Sequence, residues 1–155
     1  MIRRCPRLLL CNPVKTITPK IEFFQSKVAS SSDIATIVKV SPWILRRSLK
    51  NCLIPCYDFL RGYHHSDKKT ITSIRRCPNM LRSDKIIQNV KCLVEIGLPE
   101  SGIARLLHCW PRSLAFNVVK FKMAIKKVED LGFDPSRYSF APVFYALTVI
   151  SKSTM

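Results

Sequence analysis

The chain has 155 residues, a net charge of +16 and a pI near 10.0, yet 47% of it is hydrophobic. That apolar content excludes a basic disordered tail, and only four glycines argue against glycine-rich phosphate loops and β-sandwiches. What is left is a folded module, one domain or a short repeat array, with a surface that attracts polyanions.

The chain starts MIRRCPRLLL, and no acid precedes Glu22. This composition suits an organellar transit segment, but the stretch also carries the first copy of an internal repeat. Pro6, Pro42, Pro78 and Pro111 recur at intervals of 36, 36 and 33 residues. Four residues before them stand Ile2, Val38, Ile74 and Leu107; three after stand Leu9, Leu45, Leu81 and Leu114. The units read IRRCPRLL, VKVSPWIL, IRRCPNML and LHCWPRSL. A second register follows: Pro19 and Pro55 lie thirteen residues after the first two prolines, and apolar segments fall at 21–24, 57–60, 93–96 and 128–131.

In chain order, Ser32 and Asp33 open a predicted helix that ends before Pro42, and Ser66 and Asp67 open one that ends before Pro78. Val90, Leu93, Val94 and Ile96 give a stripe near helical spacing. Gly97 ends that helix as a left-handed cap, Pro99 prevents its continuation, and Ser101 is the expected N-cap of the next. Pro111 cannot continue a helix, so a short 3₁₀ turn is expected over 110–114. A longer helix runs from Val118 to Leu131 and stops at Gly132; Asp134 or Ser136 caps a last short helix. No sustained two-residue alternation predicts strands. The expected fold is all-α, an α-solenoid of helix-turn-helix units with short 3₁₀ turns, each burying its face against its neighbours.

With these elements placed, the chain resembles the mitochondrial transcription termination factor (mTERF) family, its plant organellar members most. The resemblance rests on the repeated [I/L/V]-x-x-x-P-x-x-L element. It rests also on LVEIGLPESGIARLLHCWPRSL at 93–114 and on VEDLGFDPSRYSFAPVFYAL at 128–147, followed by SKST at 151–154. It implies a curved superhelical array, double-stranded nucleic-acid binding on a basic concave surface, and a role in organellar transcription termination or RNA metabolism, in a mitochondrion or chloroplast. One array over residues 1–155 is expected, with a C-terminal cap at 133–150 and a tail at 151–155. Since Met1 stands five residues before Pro6, the chain is expected to match a C-terminal portion of the longer plant members.

Basic residues cluster near the repeat prolines. Arg3 with Arg4, Arg46 with Arg47, and Arg75 with Arg76 form pairs. The candidate nucleic-acid-binding residues are Arg46, Arg47, Lys50, Arg75, Arg76, Arg82, Arg112, Lys120, Lys122, Lys126 and Lys127. The last three are read as lining one helix. A basic side chain recurring at one register builds a stripe that tracks phosphates; such contacts position the protein and do not read sequence. The bland alternative is a solvated charged face.

The remaining residue types point away from chemistry. Seven cysteines, an odd number without a CxxC pair, read as reduced, mostly buried thiols. Cys5, Cys77 and Cys109 are expected to pack under the turns. A zinc site from Cys52, Cys56, His64 and His65 is disfavoured by its spacing. Trp43 and Trp110 are assigned to packing between units over stacking on bases. His108 and Cys109, adjacent on a helix, point in different directions and make no nucleophile pair. Catalytic motifs are missing from the sequence, so no enzyme activity, cofactor or metal is expected. The longest apolar run, 140–150, is too short to span a membrane. The expected partner is double-stranded DNA or structured RNA, bound through phosphates by a monomer, with no membrane and no small-molecule substrate. The alternative function is a solenoid that binds protein and not nucleic acid. A pentatricopeptide-type RNA reader fits the mid-repeat proline poorly.

Overall fold

The computed structural model describes Pro6, residues 10–82 and residues 84–153, with the side chains of these except residues 82, 84 and 151–153. The repeat residues Ile2 and Leu9, the pair Arg3 and Arg4, and Cys5 lie outside the described residues. Among the described residues there are eight α-helices and no strand. They are α1 (Thr18–Ser26), α2 (Ser31–Val40), α3 (Ile54–His64), α4 (Asp67–Arg76), α5 (Asp84–Glu95), α6 (Glu100–Cys109), α7 (Val118–Asp130) and α8 (Phe140–Ser153). The chain divides into two compact units, Met1–Arg82 and Ser83–Met155. The all-helical repeat fold read from the sequence is the one observed. No helix among the described residues is long and apolar enough to cross a membrane.

Pro42, Pro78 and Pro111 each open a 3₁₀ turn, Pro42–Arg46, Pro78–Arg82 and Pro111–Leu114, whereas Pro6 is exposed. The preceding helix must stop there, because proline has no N–H to donate and its ring clashes one turn back. The helices α2, α4 and α6 each end two residues earlier, at Val40, Arg76 and Cys109. The repeat columns form the core. Val38, Ile74 and Leu107 are buried, as are Leu45, Leu81 and Leu114, and the three prolines are buried with them.

The helix starts are mostly capped by side chains. In α2, Ser30 accepts from the Asp33 N–H while the Asp33 carboxylate accepts from the Ser30 N–H, both at 3.1 Å. The cap is therefore Ser30, earlier than the expected opening at Ser32. Ser66 caps α4 as expected, accepting from the Lys69 N–H. Asn12, Ser48 and Asn117 stand six residues after Pro6, Pro42 and Pro111, and each accepts a main-chain N–H of the turn it opens. Ser101 does not cap α6: the helix begins at Glu100, and its N-cap is Pro99, which has no side-chain acceptor. Gly97 and Gly132 adopt φ of 81° and 82°, the left-handed conformation that ends α5 and α7. The last helix is not short. It has 14 residues and begins at Phe140. Asp134 instead accepts from the Ser136 N–H and hydroxyl, both at 2.8 Å, in the turn before it.

Two wide, π-type turns, Pro13–Ile17 and Leu49–Leu53, were not legible beforehand. Each leads directly into α1 or α3, whose second residue is Pro19 or Pro55. A proline there removes the donor for the carbonyl four residues back and crowds it. The preceding turn widens, and Thr18 and Ile54 donate five residues back to Pro13 and Leu49. The third and fourth repeats have Lys91 and Ala124 at that register, and α5 and α7 have no wide turn.

The carbonyl of the repeat leucine recurs as an acceptor. At the end of a 3₁₀ turn it lacks a helical donor, and a side chain from the helical segment of the preceding repeat supplies one. Lys20 Nζ donates to Leu45 O at 2.5 Å. Cys52 Sγ lies 3.6 Å from Leu81 O. Asn89 Nδ2 donates to Leu114 O and to Phe116 O, both at 2.9 Å. Lys20 is a buried lysine, and burial pulls its ammonium below the usual lysine pKa. Its charge is part of the scaffold and not of the surface.

The thiols Cys56, Cys77 and Cys92 are buried, and Cys11 and Cys52 are half-buried. Cys109 is exposed, against the expectation that it packs under its turn. Cys77 stands one residue before its proline and Cys109 two before, and one helical step swings a side chain by more than a quarter turn.

Candidate nucleic-acid interface

The first unit presents its candidate cations from two places. Arg46 is the last residue of the Pro42–Arg46 turn, Arg47 follows it, and Lys50 lies in the wide turn Leu49–Leu53. All three are exposed. The Arg47 guanidinium lies 6.0 Å from the centroid of the half-buried Trp43 ring, a cation–π arrangement that holds it near the turn. Arg75 and Arg76 form the last turn of α4 and are exposed. At a helix C-terminus the aligned peptide dipoles favour positive charge, so this is a stable place for both.

Arg75 is not a simple surface cation. Its Nη1 lies 3.1 Å from Asp33 Oδ1 at the start of α2. The Asp33 carboxyl is held below the usual range, first by the Ser30 hydroxyl and then by the Ser30 N–H, with Arg75 a smaller contribution. Arg75 thus joins two equivalent helices as well as facing solvent. The Arg82 side chain lies outside the described residues, although its backbone closes the Pro78–Arg82 turn.

In the second unit, Arg112 is exposed on the Pro111–Leu114 turn. Lys120, Lys122, Lys126 and Lys127 are exposed on α7, which buries Phe121, Ile125 and Val128. The helical turn of 3.6 residues sorts the lysines into two rows. Lys122 and Lys126 share one flank, and Lys120 and Lys127 the other. Lys122, Lys126 and Lys127 therefore do not form one line. Between the rows lie Val119 and Met123, 68% and 58% exposed.

Several exposed cations lie outside the candidate set, among them Lys15, Lys39, Lys68, Lys69, Lys85, Lys91 and Arg137, and Lys39 shares a register with a candidate. Lys39 stands three residues before Pro42, as Arg75 stands before Pro78. Arg3 and His108 occupy the same register, so aligning the repeats by column, instead of looking for adjacent pairs, would have found it. Trp110 stacks on Tyr145, with ring centroids 4.8 Å apart and planes 10° from parallel. One face of its indole is thus occupied within the protein.

The charge is unevenly divided. Sixteen of the 26 basic residues and four of the ten acids fall in the first unit, which therefore carries +12 of the +16. Among the described residues no group of three or more His, Cys, Asp and Glu side chains is placed to hold a metal ion.

No curated protein and no solved structure matches the chain. The family model of mTERF proteins matches residues 1–140. The chain belongs to the mTERF family, whose members are in general organellar, helical nucleic-acid-binding proteins without catalytic activity.

Proposed function

We propose that this protein binds double-stranded nucleic acid through its phosphates and acts in organellar transcription, as a terminator, or in RNA metabolism. The observation that carries the reading is the separation of residue types along one repeat. The apolar columns are buried, while all ten candidate cations whose side chains are described are exposed. Lys39 and Arg75 share one register and Arg46 and Arg82 another. Packed helices lie about 8–10 Å apart, close to the Debye length at physiological salt, about 8 Å. Charges at that spacing reinforce one another on a polyanion. The chain contacts the duplex as a monomer, and the arginines and lysines set its position without reading bases.

The test is titration of the full chain with duplex DNA, duplex RNA and single strands of the same length at low salt. Saturable duplex binding that exceeds single-strand binding is expected. No duplex binding at low salt overturns the proposal. A second reading, docking of a protein partner, draws on the exposed Val119 and Met123 on α7. A stable protein complex that survives nuclease treatment, without duplex binding, would favour it.

A further inference from the structure

The second unit contains a cavity of about 120 Å³ between the start of α6 and the segment leading into α8. Its polar lining is Arg105, Arg137, Ser101 and Ser136. The Arg105 guanidinium carbon lies 4.2 Å from the centroid of Tyr138 and 5.2 Å from that of Trp110. Trp110 is in turn fixed by its stack on Tyr145. Arg105 therefore has little freedom left to lose on binding. Among the described residues no carboxylate pairs with it, and its Nη1 is buried without a hydrogen bond. Arg61 and Arg75, by contrast, hold carboxylates at 3.0 and 3.1 Å. A planar guanidinium, fixed and without a counter-ion, is the group that best matches a phosphoryl oxygen pair. The same end of the cavity receives the start of α6, whose first N–H groups lack a side-chain cap and carry the positive end of the helix dipole. The nearby carboxylate Asp134 is engaged by Ser136.

We infer that this cavity binds a phosphoryl group, with Arg105 and Arg137 as its cationic walls. The group comes from a nucleic-acid backbone or from free phosphate. The first source rests on the function proposed above; the chemistry of the cavity does not.

The experiment titrates the full chain with inorganic phosphate, followed by calorimetry, and separately with duplex nucleic acid. Arg105→Gln also removes packing on Tyr138 and Trp110, so Arg137→Gln and Ser101→Glu carry the test. A carboxylate in the first turn of α6 favours the helix, so Ser101→Glu keeps the fold while placing negative charge in the cavity. Saturable phosphate binding is expected, weakened about tenfold or more in each variant, on the scale of one charge-assisted hydrogen bond. If duplex affinity falls in parallel, the backbone is the source; if it does not, free phosphate is. No phosphate binding by the wild type, or equal binding by wild type and both variants, overturns the inference. Phosphate binding without any duplex binding keeps the cavity and overturns the nucleic-acid reading.

Discussion

At Asn89 one side-chain amide holds two main-chain carbonyls, Leu114 O and Phe116 O, while its own Oδ1 is buried without a hydrogen-bond partner. Asn89→Ala removes the donor to the buried Leu114 O. Leaving a buried polar group unsatisfied costs about 1–3 kcal/mol, so urea denaturation should show a loss of roughly 2 kcal/mol or more. Cys52 is a weak donor, half-buried, at 3.6 Å from its carbonyl, and Cys52→Ala should stay within about 1 kcal/mol of wild type. A similar loss in both variants would contradict the ranking. These donors were not legible in the sequence. Lys20, Cys52 and Asn89 stand 14, 10 and 11 residues after their repeat prolines and share neither register nor residue type. What they share is the carbonyl they reach, which only the folded chain identifies. Arg75 is a similar case: its neighbours give no hint of Asp33, 42 residues earlier.

The helices were legible because proline and glycine mark their ends through local sterics. The repeat prolines stop α2, α4 and α6, and Gly97 and Gly132 stop α5 and α7 by adopting a conformation that a Cβ opposes. The glycines give a test of opposite signs. Gly62 lies inside α3, and a Cβ there meets nothing within 4 Å. Gly62→Ala should stabilise by about 0.5–1 kcal/mol through helix propensity. A Cβ at Gly97 also meets nothing, but φ is +81°. Gly97→Ala should destabilise by about 1–2 kcal/mol. Thermal unfolding of both variants checks this; the same sign in both would contradict the assignment of Gly97 as a left-handed cap. The wide turns ahead of Pro19 and Pro55 and the full length of α8 escaped the sequence reading. Widening a turn is one of several ways to relieve a proline clash, and in α8 the proline, Pro142, falls in the first turn, where its missing N–H has no helical acceptor to leave unpaired.

Across the whole molecule, a high positive charge on an apolar chain is reconciled by dividing each repeat between buried columns and exposed cations. The repeat frame made that division legible early, since equivalent positions share one burial: Val38, Ile74 and Leu107 are all buried, and Lys39 and Arg75, one residue on, are both exposed. It did not make each contact legible. Lys20 is buried on a carbonyl, Arg75 is tied to Asp33, and the α7 lysines fall in two rows. The central claim is that the exposed cations contact phosphates, and the salt dependence of duplex binding tests it most directly. The logarithm of the binding constant is measured against the logarithm of salt concentration, for wild type and for a variant with Arg46, Lys50, Arg112 and Lys126 all replaced by glutamine. Each lost phosphate contact should reduce the slope by about 0.9 on duplex DNA. The account predicts a slope shallower by about 3–4 in the variant, with unfolding unchanged; an unchanged slope would contradict it.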